Sequence, residues 1–236
     1  MSQSISLHQK RILVTGGARG LGKAFASSLV EAGAQVAIAD ILVEEGNASA
    51  KSMGAEFFEL DVSNPKGVTS CIEEVIKRLG GIDGLVNNAA IATGIGGPGM
   101  TDIEVEVWDK VMDVNVRGTW LVSKAAVPHL AKCGNGKILN LASDTALWGA
   151  TNLMHYVASK GAIVAMTRSM ANELGEKGIS VNCIAPGLTE VEATEYVPEE
   201  RKQLYRENRS LKRTQMPSDI TGSVIFFMSD ASDFIT

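Results

Sequence analysis

The sequence predicts one α/β domain built on a doubly wound parallel sheet with helices on both faces. Short β-branched runs alternate with longer segments whose apolar residues recur at helical spacing. These runs are nearly all apolar rather than alternating, which is typical of strands buried on both faces of a parallel sheet. The 236 residues contain no repeat, linker or low-complexity stretch, so we expect a single domain over 1–236.

Six strands are expected, near residues 12–14, 36–39, 56–60, 84–86, 137–141 and 179–184. Helices are expected between them, the two longest over 102–132 and 155–176. Two segments, 92–100 and 188–216, fit neither pattern, and both follow strands, where ligands bind in sheets of this kind. We expect 188–216 to be a substrate lid that carries a pair of solvated helices.

Composition excludes several classes of protein. The formal net charge is −5 with no basic stripe, which argues against binding to nucleic acid. The three cysteines lie far apart without metal-ligand spacing, so we expect free thiols in a reducing compartment and no metal site. Residues 1–10 lack the apolar core of a signal peptide, and no run approaches the roughly 18 apolar residues of a membrane span. A cytoplasmic protein with a small-molecule substrate is expected.

A glycine-rich segment, TGGARGLG over 15–22, joins the first strand to the first helix. Glycines at 16, 20 and 22 permit a tight turn and let backbone N–H groups at the start of the helix reach a pyrophosphate. Because the segment follows a strand and opens a helix, it predicts a dinucleotide-binding site.

Two residues near this loop bear on the choice of dinucleotide. Asp40 ends the second strand, where a carboxylate can accept hydrogen bonds from the ribose hydroxyls and would repel a 2′-phosphate. Arg19 favours NADP instead, because a guanidinium beside the loop could hold that phosphate. We favour NAD over NADP, since Asp40 lies where the ribose must sit.

Three side chains could exchange a proton with a substrate oxygen. Tyr156 and Lys160 are one helical turn apart and face the same way. An ammonium beside a phenol stabilises the phenolate, which allows the phenol to exchange protons nearer neutral pH. Ser143, at the end of the fifth strand, could hold the substrate oxygen. This pattern predicts chemistry on a carbonyl or an alcohol.

Over essentially its whole length the chain resembles the classical short-chain dehydrogenase/reductase family, which has a Rossmann-type fold. The segment 15–22 matches the family's TGxxxGxG motif, and 87–90 (NNAA) resembles its NNAG. The resemblance implies a catalytic set with Tyr156 as general acid/base and Ser143 orienting the substrate oxygen. Lys160 would bind the nicotinamide ribose and lower the pKa of Tyr156, and Asn115 would anchor a water in the proton relay.

The resemblance also implies which residues contact the cofactor. Asp61 and Val62 match the pair that contacts adenine, and after the Pro-Gly motif Thr189 would offer its backbone to the carboxamide. The expected cofactor residues are Gly16, Arg19, Gly20, Leu21, Gly22, Asp40, Asp61, Val62, Asn88, Ala89, Tyr156, Lys160, Pro186, Gly187 and Thr189. Family members continue through a further strand after the position of residue 236, so we expect the final strand to be missing here. The family also implies a homo-oligomer, a dimer or tetramer built on the two long helices.

The expected substrate-facing residues are Ser143, Thr145, Trp148 and Tyr156. Trp148 could stack on a flat substrate or pack beneath the lid. Asp144 could contact a polar substrate group or cap a loop end. His155, directly before Tyr156, is expected to point away, toward the surface or a subunit interface.

We therefore expect an NAD-dependent dehydrogenase that acts on a small secondary alcohol or its ketone, including aromatic or cyclic ones. An NADPH-dependent 3-oxoacyl reductase is the alternative within the enzyme class, motivated by Arg19. A catalytically silent, dinucleotide-sensing regulator is the alternative outside it, because a fold alone does not establish activity.

Overall fold

A six-stranded parallel sheet forms the centre of the molecule in the computed structural model, which describes residues 5–236. Residues 1–4 of the N-terminal segment considered above lie outside the described range. The strands are β1 (Arg11–Thr15), β2 (Gln35–Asp40), β3 (Glu56–Glu59), β4 (Gly84–Asn87), β5 (Gly136–Leu141) and β6 (Ile179–Ile184). Their order across the sheet is β3-β2-β1-β4-β5-β6. The expected doubly wound, Rossmann-type sheet is confirmed.

Helices cover both faces of this sheet. They are α1 (Gly20–Glu31), α2 (Val43–Met53), α3 (Pro65–Leu79), α4 (Val105–Met112), α5 (Thr119–Leu130), α6 (Thr145–Trp148), α7 (Met154–Leu174), α8 (Glu199–Asn208) and α9 (Ser218–Met228). One apolar layer joins the sheet to α1 and α9, and the other joins it to α3 and α5. β4 and β5 are buried along their whole length, which explains why their sequences are apolar rather than alternating.

The prediction of one helix over 102–132 is wrong. A 3₁₀ turn (Met100–Asp102) is followed by α4, then by a π-helical segment (Asp113–Gly118), and only then by α5. Within the π-helical segment the side chain of Asn115 exchanges two hydrogen bonds with the backbone of Ile91, in the loop after β4. The wider turn thus coincides with a tertiary contact that helical periodicity does not reveal.

The 188–216 segment contains less helix than expected. It has one α-helix, α8, and a single 3₁₀ turn (Glu192–Thr194) instead of a helix pair. A bridge between Thr189 and Gln215 closes the base of the segment. Both this segment and 92–100 follow the carboxyl ends of strands, β6 and β4, as predicted.

The chain after α9 returns to the amino-terminal side of the sheet. Asp233 pairs with the buried ammonium of Lys137 at 2.8 Å, and the Thr236 hydroxyl accepts a hydrogen bond from the Val181 backbone N–H. Across the described residues, no helix combines the length and apolar character needed to cross a membrane. Residues 5–236 also hold no cluster of three or more His, Cys, Asp or Glu side chains that could bind a metal ion.

Candidate active site

The loop between β1 and α1 depends on its glycines for two different reasons. Gly16 adopts a φ of +67° and packs so closely that a Cβ there would lie 2.8 Å from the Ala89 Cα. A Cβ at Gly22 would collide with the carbonyl oxygen of Gly16. Gly20 also has a positive φ, +58°, but a Cβ there would meet only Val191, at 3.9 Å. Close packing therefore excludes a side chain at Gly16 and Gly22, whereas the space beside Gly20 is largely free of protein atoms.

This open space fits the pyrophosphate of a dinucleotide. Arg19 precedes α1 with an exposed side chain, and the helix has no side-chain cap on its first N–H groups. Uncapped N–H groups and the helix dipole attract a phosphate at this end of a helix. Leu21 is half-buried and packs into the apolar layer between α1 and the sheet.

Asn88 and Ala89 tie β4 to the same loop. Their backbone N–H groups both donate to the Thr15 hydroxyl at 3.1 Å. The side-chain amide of Asn88 donates to the carbonyl oxygens of Thr15 and Gly16, each at 3.0 Å. Asn88 therefore holds the loop through both its backbone N–H and its side-chain amide. The NNAA motif alone does not predict this role.

Asp40 also holds the loop in place. Its Oδ2 accepts a hydrogen bond from the Ala18 backbone N–H at 3.0 Å, and its Oδ1 accepts one from Leu42 at 3.1 Å. Each oxygen of a carboxylate has a second lone pair, so the side chain can still accept hydrogen bonds from ribose hydroxyls.

The pair Asp61 and Val62 follows β3. The Asp61 carboxylate accepts hydrogen bonds from the N–H and hydroxyl of Ser63, at 2.8 and 2.7 Å through Oδ1, and the side chain is exposed. Val62 is buried against Gly118. Val62 thus connects the edge of this site to the π-helical segment.

Ser143 is oriented by its neighbour Thr145. The Thr145 hydroxyl donates to the Ser143 oxygen at 2.9 Å, and the Thr145 N–H lies 3.3 Å from the same atom. Both residues are buried at the start of α6. The Thr145 side chain, expected to face substrate, is thus engaged with Ser143.

Tyr156 and Lys160 lie on α7 beside Ser143. Burial raises the pKa of Tyr156 to about 12, and hydrogen bonding with the Ser143 hydroxyl opposes that rise. Burial also lowers the pKa of Lys160 to about 8. The Lys160 ammonium donates to the Leu141 carbonyl at 2.6 Å and lies 5.7 Å from the centroid of the Tyr156 ring. The structure thus brings together the three groups that the sequence predicted.

Asn115 is fully buried, and its side chain bonds to protein groups. Its Oδ1 accepts from the Ile91 N–H at 2.7 Å, and its Nδ2 donates to the Ile91 carbonyl at 3.1 Å and to the Ser159 hydroxyl at 3.0 Å. Ser159 precedes Lys160 on α7. Asn115 therefore joins the π-helical segment, the loop after β4 and the catalytic helix.

The segment after β6 closes the site from the other side. The Asp144 backbone N–H donates to the Pro186 carbonyl at 3.1 Å, and the Asp144 carboxylate faces Gly187. The Thr189 hydroxyl is buried and contacts Gly187 and Gln215, at 3.1 and 3.3 Å. This hydroxyl is therefore occupied within the protein.

Aromatic side chains line the outer part of the cleft. Trp148 packs edge-to-face against Tyr205 of α8 with ring centroids 6.1 Å apart, and 54% of Trp148 is exposed. The Tyr196 hydroxyl donates to the Ala92 carbonyl at 2.9 Å, which links the 188–216 segment to the 92–100 loop. Trp148 thus packs against the expected lid and still exposes ring surface.

The expectation that His155 lies at the surface is wrong. The residue is 0% exposed, and neither ring nitrogen has a hydrogen-bond partner among the described residues. The 92–100 loop folds over the start of α7, where Gly97 donates a backbone hydrogen bond to Asn152 at 3.0 Å. Burial lowers the pKa of the imidazole. The residues next to Tyr156 in the sequence give no sign that the 92–100 loop covers His155.

Sequence reasoning missed three residues at this site. Tyr205 and Arg209 belong to the segment that was interpreted as a solvated surface, and Gln215 was not singled out. The Arg209 guanidinium donates to the Leu188 carbonyl at 3.0 Å and to the Tyr205 carbonyl at 3.2 Å. Arg209 follows the end of α8 in an extended conformation, so its approach to Tyr205 and Leu188 has no signal in helical spacing.

Comparison with known proteins places this site in a family. A family model described as enoyl-(acyl carrier protein) reductase matches residues 16–236. A 3-alpha-(or 20-beta)-hydroxysteroid dehydrogenase from Mycobacterium tuberculosis is 37% identical over 229 residues, which are 96% of this chain and 85% of that protein. Galactitol 2-dehydrogenase from Agrobacterium fabrum is 36% identical, with 97% and 94% of the two chains covered. A 3-oxoacyl-[acyl-carrier-protein] reductase from Thermotoga maritima is 32% identical, with 98% and 94% covered.

The fold and the Ser-Tyr-Lys site define an oxidoreductase that acts on CH–OH groups with a nicotinamide dinucleotide as cofactor. The chain belongs to the classical short-chain dehydrogenase/reductase family.

Proposed function

We propose that this enzyme transfers a hydride between NAD and a small secondary alcohol or its ketone. The observation that carries the proposal is the convergence of Ser143, Tyr156 and Lys160 at the carboxyl ends of β5 and β6, beside the dinucleotide loop. A bound nicotinamide supplies the hydride acceptor or donor. The protein supplies position and proton transfer.

The roles of the three side chains follow from their surroundings. Ser143 receives hydrogen bonds from Thr145, and its own hydroxyl donates only in a long, 3.4 Å contact to Asp144, which a substrate oxygen could replace. Tyr156 takes the alcohol proton during oxidation and returns it during reduction. Lys160, held by the Leu141 carbonyl, presents a buried positive charge beneath the Tyr156 ring, and this charge favours the phenolate.

The preference for NAD rests on Asp40. Its carboxylate is held at the dinucleotide loop by a hydrogen bond from the Ala18 N–H. A 2′-phosphate bound beside it would therefore be repelled by the negative charge of Asp40. Arg19 is the nearest basic residue in sequence, and its side chain is exposed. An exposed guanidinium compensates a buried charge only weakly.

The aromatic cleft supports a flat or cyclic substrate. Trp148 packs edge-to-face against Tyr205 and keeps exposed ring surface, and it ends the short helix α6 that begins two residues after Ser143. Aromatic rings contribute large contact area and favour apolar or ring-shaped ligands.

Cofactor binding and turnover can be tested separately. The Kd values of NADH and NADPH are measured by fluorescence, and nicotinamide absorbance follows turnover of a panel of secondary alcohols and ketones. We expect tighter binding of NADH, and we expect Tyr156→Phe to lose at least a thousandfold in turnover while keeping its Kd for NADH. Undiminished turnover in Tyr156→Phe would refute the proposed chemistry.

Arg19 supports one second candidate, an NADPH-dependent 3-oxoacyl reductase. Its guanidinium stands directly before α1, within reach of the side of the loop where a 2′-phosphate would lie. A clear preference for NADPH that is lost in Arg19→Ala, together with reduction of 3-oxoacyl thioesters, would establish this candidate over the first.

We further propose a cytoplasmic homo-oligomer. All three cysteines, Cys71, Cys133 and Cys183, are free thiols, as expected in a reducing compartment. Trp120 on α5 is 47% exposed, and apolar side chains of α4 are exposed as well, a surface suited to a symmetric interface. Light scattering that gives the mass of a monomer would contradict the oligomer.

A further inference from the structure

We propose that Asp144 is a specificity-determining residue that selects substrates with a second hydroxyl on the carbon next to the reacting carbinol. This inference rests on the proposed function, since it names the kind of secondary alcohol that the site prefers. Its basis is the position of the Asp144 carboxylate, which lies against the group that would hold the reacting oxygen.

The carboxylate is partly buried between Ser143 and Gly187. Its Oδ1 is 3.4 Å from the Ser143 hydroxyl oxygen, and its Oδ2 would lie 3.0 Å from a Cβ at Gly187. Burial is the main cause of the raised pKa values of Tyr156 and Tyr205, and the negative charge of Asp144 adds to the rise for both phenols. Asp144 therefore lies near both the proposed catalytic tyrosine and Tyr205 of α8.

Few protein groups bind this carboxylate. The Trp148 side chain, the Thr145 backbone N–H and the Ser143 hydroxyl are near enough to oppose the rise in its pKa that burial causes, but only the Ser143 contact, at 3.4 Å, has the geometry of a hydrogen bond. Asp144 precedes α6, but its side chain makes no capping hydrogen bond to that helix. Within residues 5–236 it forms no ion pair. Its contact with Ser143 is long, at 3.4 Å, so the carboxylate retains acceptor capacity. A partly buried carboxylate without a full set of partners is costly, which favours a ligand that donates to it.

A neutral donor fits this position better than a cation. Burial raises the pKa of the Asp144 carboxyl, and the nearby Arg209 guanidinium opposes that rise, although its N–H groups are directed to the carbonyls of Tyr205 and Leu188. The guanidinium thus already offsets part of the negative charge. A substrate ammonium would meet that guanidinium, whereas a hydroxyl would donate to the carboxylate without repulsion.

The geometry also specifies where the donor must be. Ser143 and Asp144 are consecutive residues, and their polar oxygens are neighbours. The two oxygens of a vicinal diol sit on adjacent carbons, so one can bond to Ser143 while the other donates to Asp144. A hydrogen bond to a charged acceptor supports about a ten- to hundredfold preference.

The test compares trans-1,2-cyclohexanediol with cyclohexanol. For each enzyme form, kcat/KM with NAD is measured for both alcohols, and their ratio is the readout. We expect the wild-type enzyme to favour the diol at least tenfold, Asp144→Ala to reduce that ratio to near one, and Asp144→Asn, which keeps one acceptor oxygen, to give an intermediate ratio. The control is Glu190→Gln, which removes an exposed negative charge from the 188–216 segment and should keep the wild-type ratio.

Binding provides a readout that needs no turnover. The affinities of the diol and of cyclohexanol for the enzyme loaded with NADH are compared by protein fluorescence, in the wild type and in Asp144→Asn. A wild-type ratio near one, or a ratio that both Asp144 variants preserve, overturns the role of Asp144. If the wild type oxidises neither alcohol but the binding ratio still depends on Asp144, the proposed reaction fails and the role of Asp144 stands.

Discussion

Lys160 donates its hydrogen bond to the carbonyl of Leu141 at 2.6 Å, while its nitrogen stands 5.7 Å from the centroid of the Tyr156 ring. The ammonium is thus held by the end of β5 rather than by the phenol one turn away. Its charge reaches Tyr156 through the low-dielectric interior, where charges interact more strongly than in water. This arrangement has consequences for stability as well as for catalysis.

Lys160→Met should change how stability depends on pH. Burial lowers the pKa of Lys160 to about 8 in the folded protein, below the ordinary lysine value near 10.4. The unfolded chain therefore binds more protons between these two values, so this group makes the free energy of unfolding rise with pH across that window. This pH dependence is measured as the free energy of unfolding in urea at pH 7.5 and at pH 10.

Between these two pH values, the free energy of unfolding of the wild-type enzyme should rise by on the order of 2–3 kcal/mol more than that of Lys160→Met. The comparison cancels the titration of groups common to both proteins. Equal pH dependence in the two proteins would show that Lys160 titrates normally when folded.

Alcohol oxidation should accelerate as the pH rises. Burial raises the pKa of Tyr156 to about 12, so the phenolate that accepts the alcohol proton is a minor species near neutral pH. Its fraction grows about tenfold per pH unit below the pKa, and kcat/KM for oxidation should increase from pH 6 to pH 9. Ketone reduction uses the protonated phenol and should lack this increase; parallel profiles for the two directions would contradict the assignment.

Gly20→Ala should weaken dinucleotide binding far more than it weakens the fold. The positive φ of +58° imposes a strain of about 1 kcal/mol on an alanine. The new methyl group would also enter the open space proposed for the pyrophosphate. Gly80→Ala is the matched control, because Gly80 has a φ of +79° with nothing within 4 Å.

Both variants should lose similar stability in thermal unfolding, but only Gly20→Ala should raise the Kd for NADH, by at least tenfold. A similar Kd for the two variants would show that the pyrophosphate does not bind beside Gly20.

Asn115→Ala should loosen the loop after β4. The Ile91 N–H and carbonyl would each lose a buried partner, at about 1–3 kcal/mol per unsatisfied group. We expect a lower free energy of unfolding, faster hydrogen exchange in 92–100 and a reduced kcat. Asn172→Ala, at an exposed position of α7, is the control. Unchanged exchange in 92–100 would show that the Asn115 side chain does not hold this loop.

Much of the site could be predicted because its pattern is local. Tyr156 and Lys160 share a helix, so a spacing of four residues sets them on one side. The glycines at 16 and 20 have positive φ values within a strand-to-helix turn, which the order of residues in that turn predicts. The central strands β4 and β5 were recognisable from their largely apolar character, because they are buried along their whole length.

Other features required the folded chain. The burial of His155 depends on the 92–100 loop, and the π-helical segment at Asn115 coincides with hydrogen bonds to Ile91. Neither contact leaves a periodic trace in the sequence, since the partners are separated by many residues and meet only through packing.

The sequence by itself determined the succession of the six strands, the glycine-rich turn after β1 and the placement of Tyr156 and Lys160 on one helix. Local backbone geometry and the two periods of helix and strand are enough for these. Only the tertiary structure decided what surrounds them: that Asp144 lies beside Ser143 and near Tyr205, and that Leu141 holds Lys160. The physical reason is that burial, charge and hydrogen bonding at a site depend on neighbours in space, which a linear pattern does not specify.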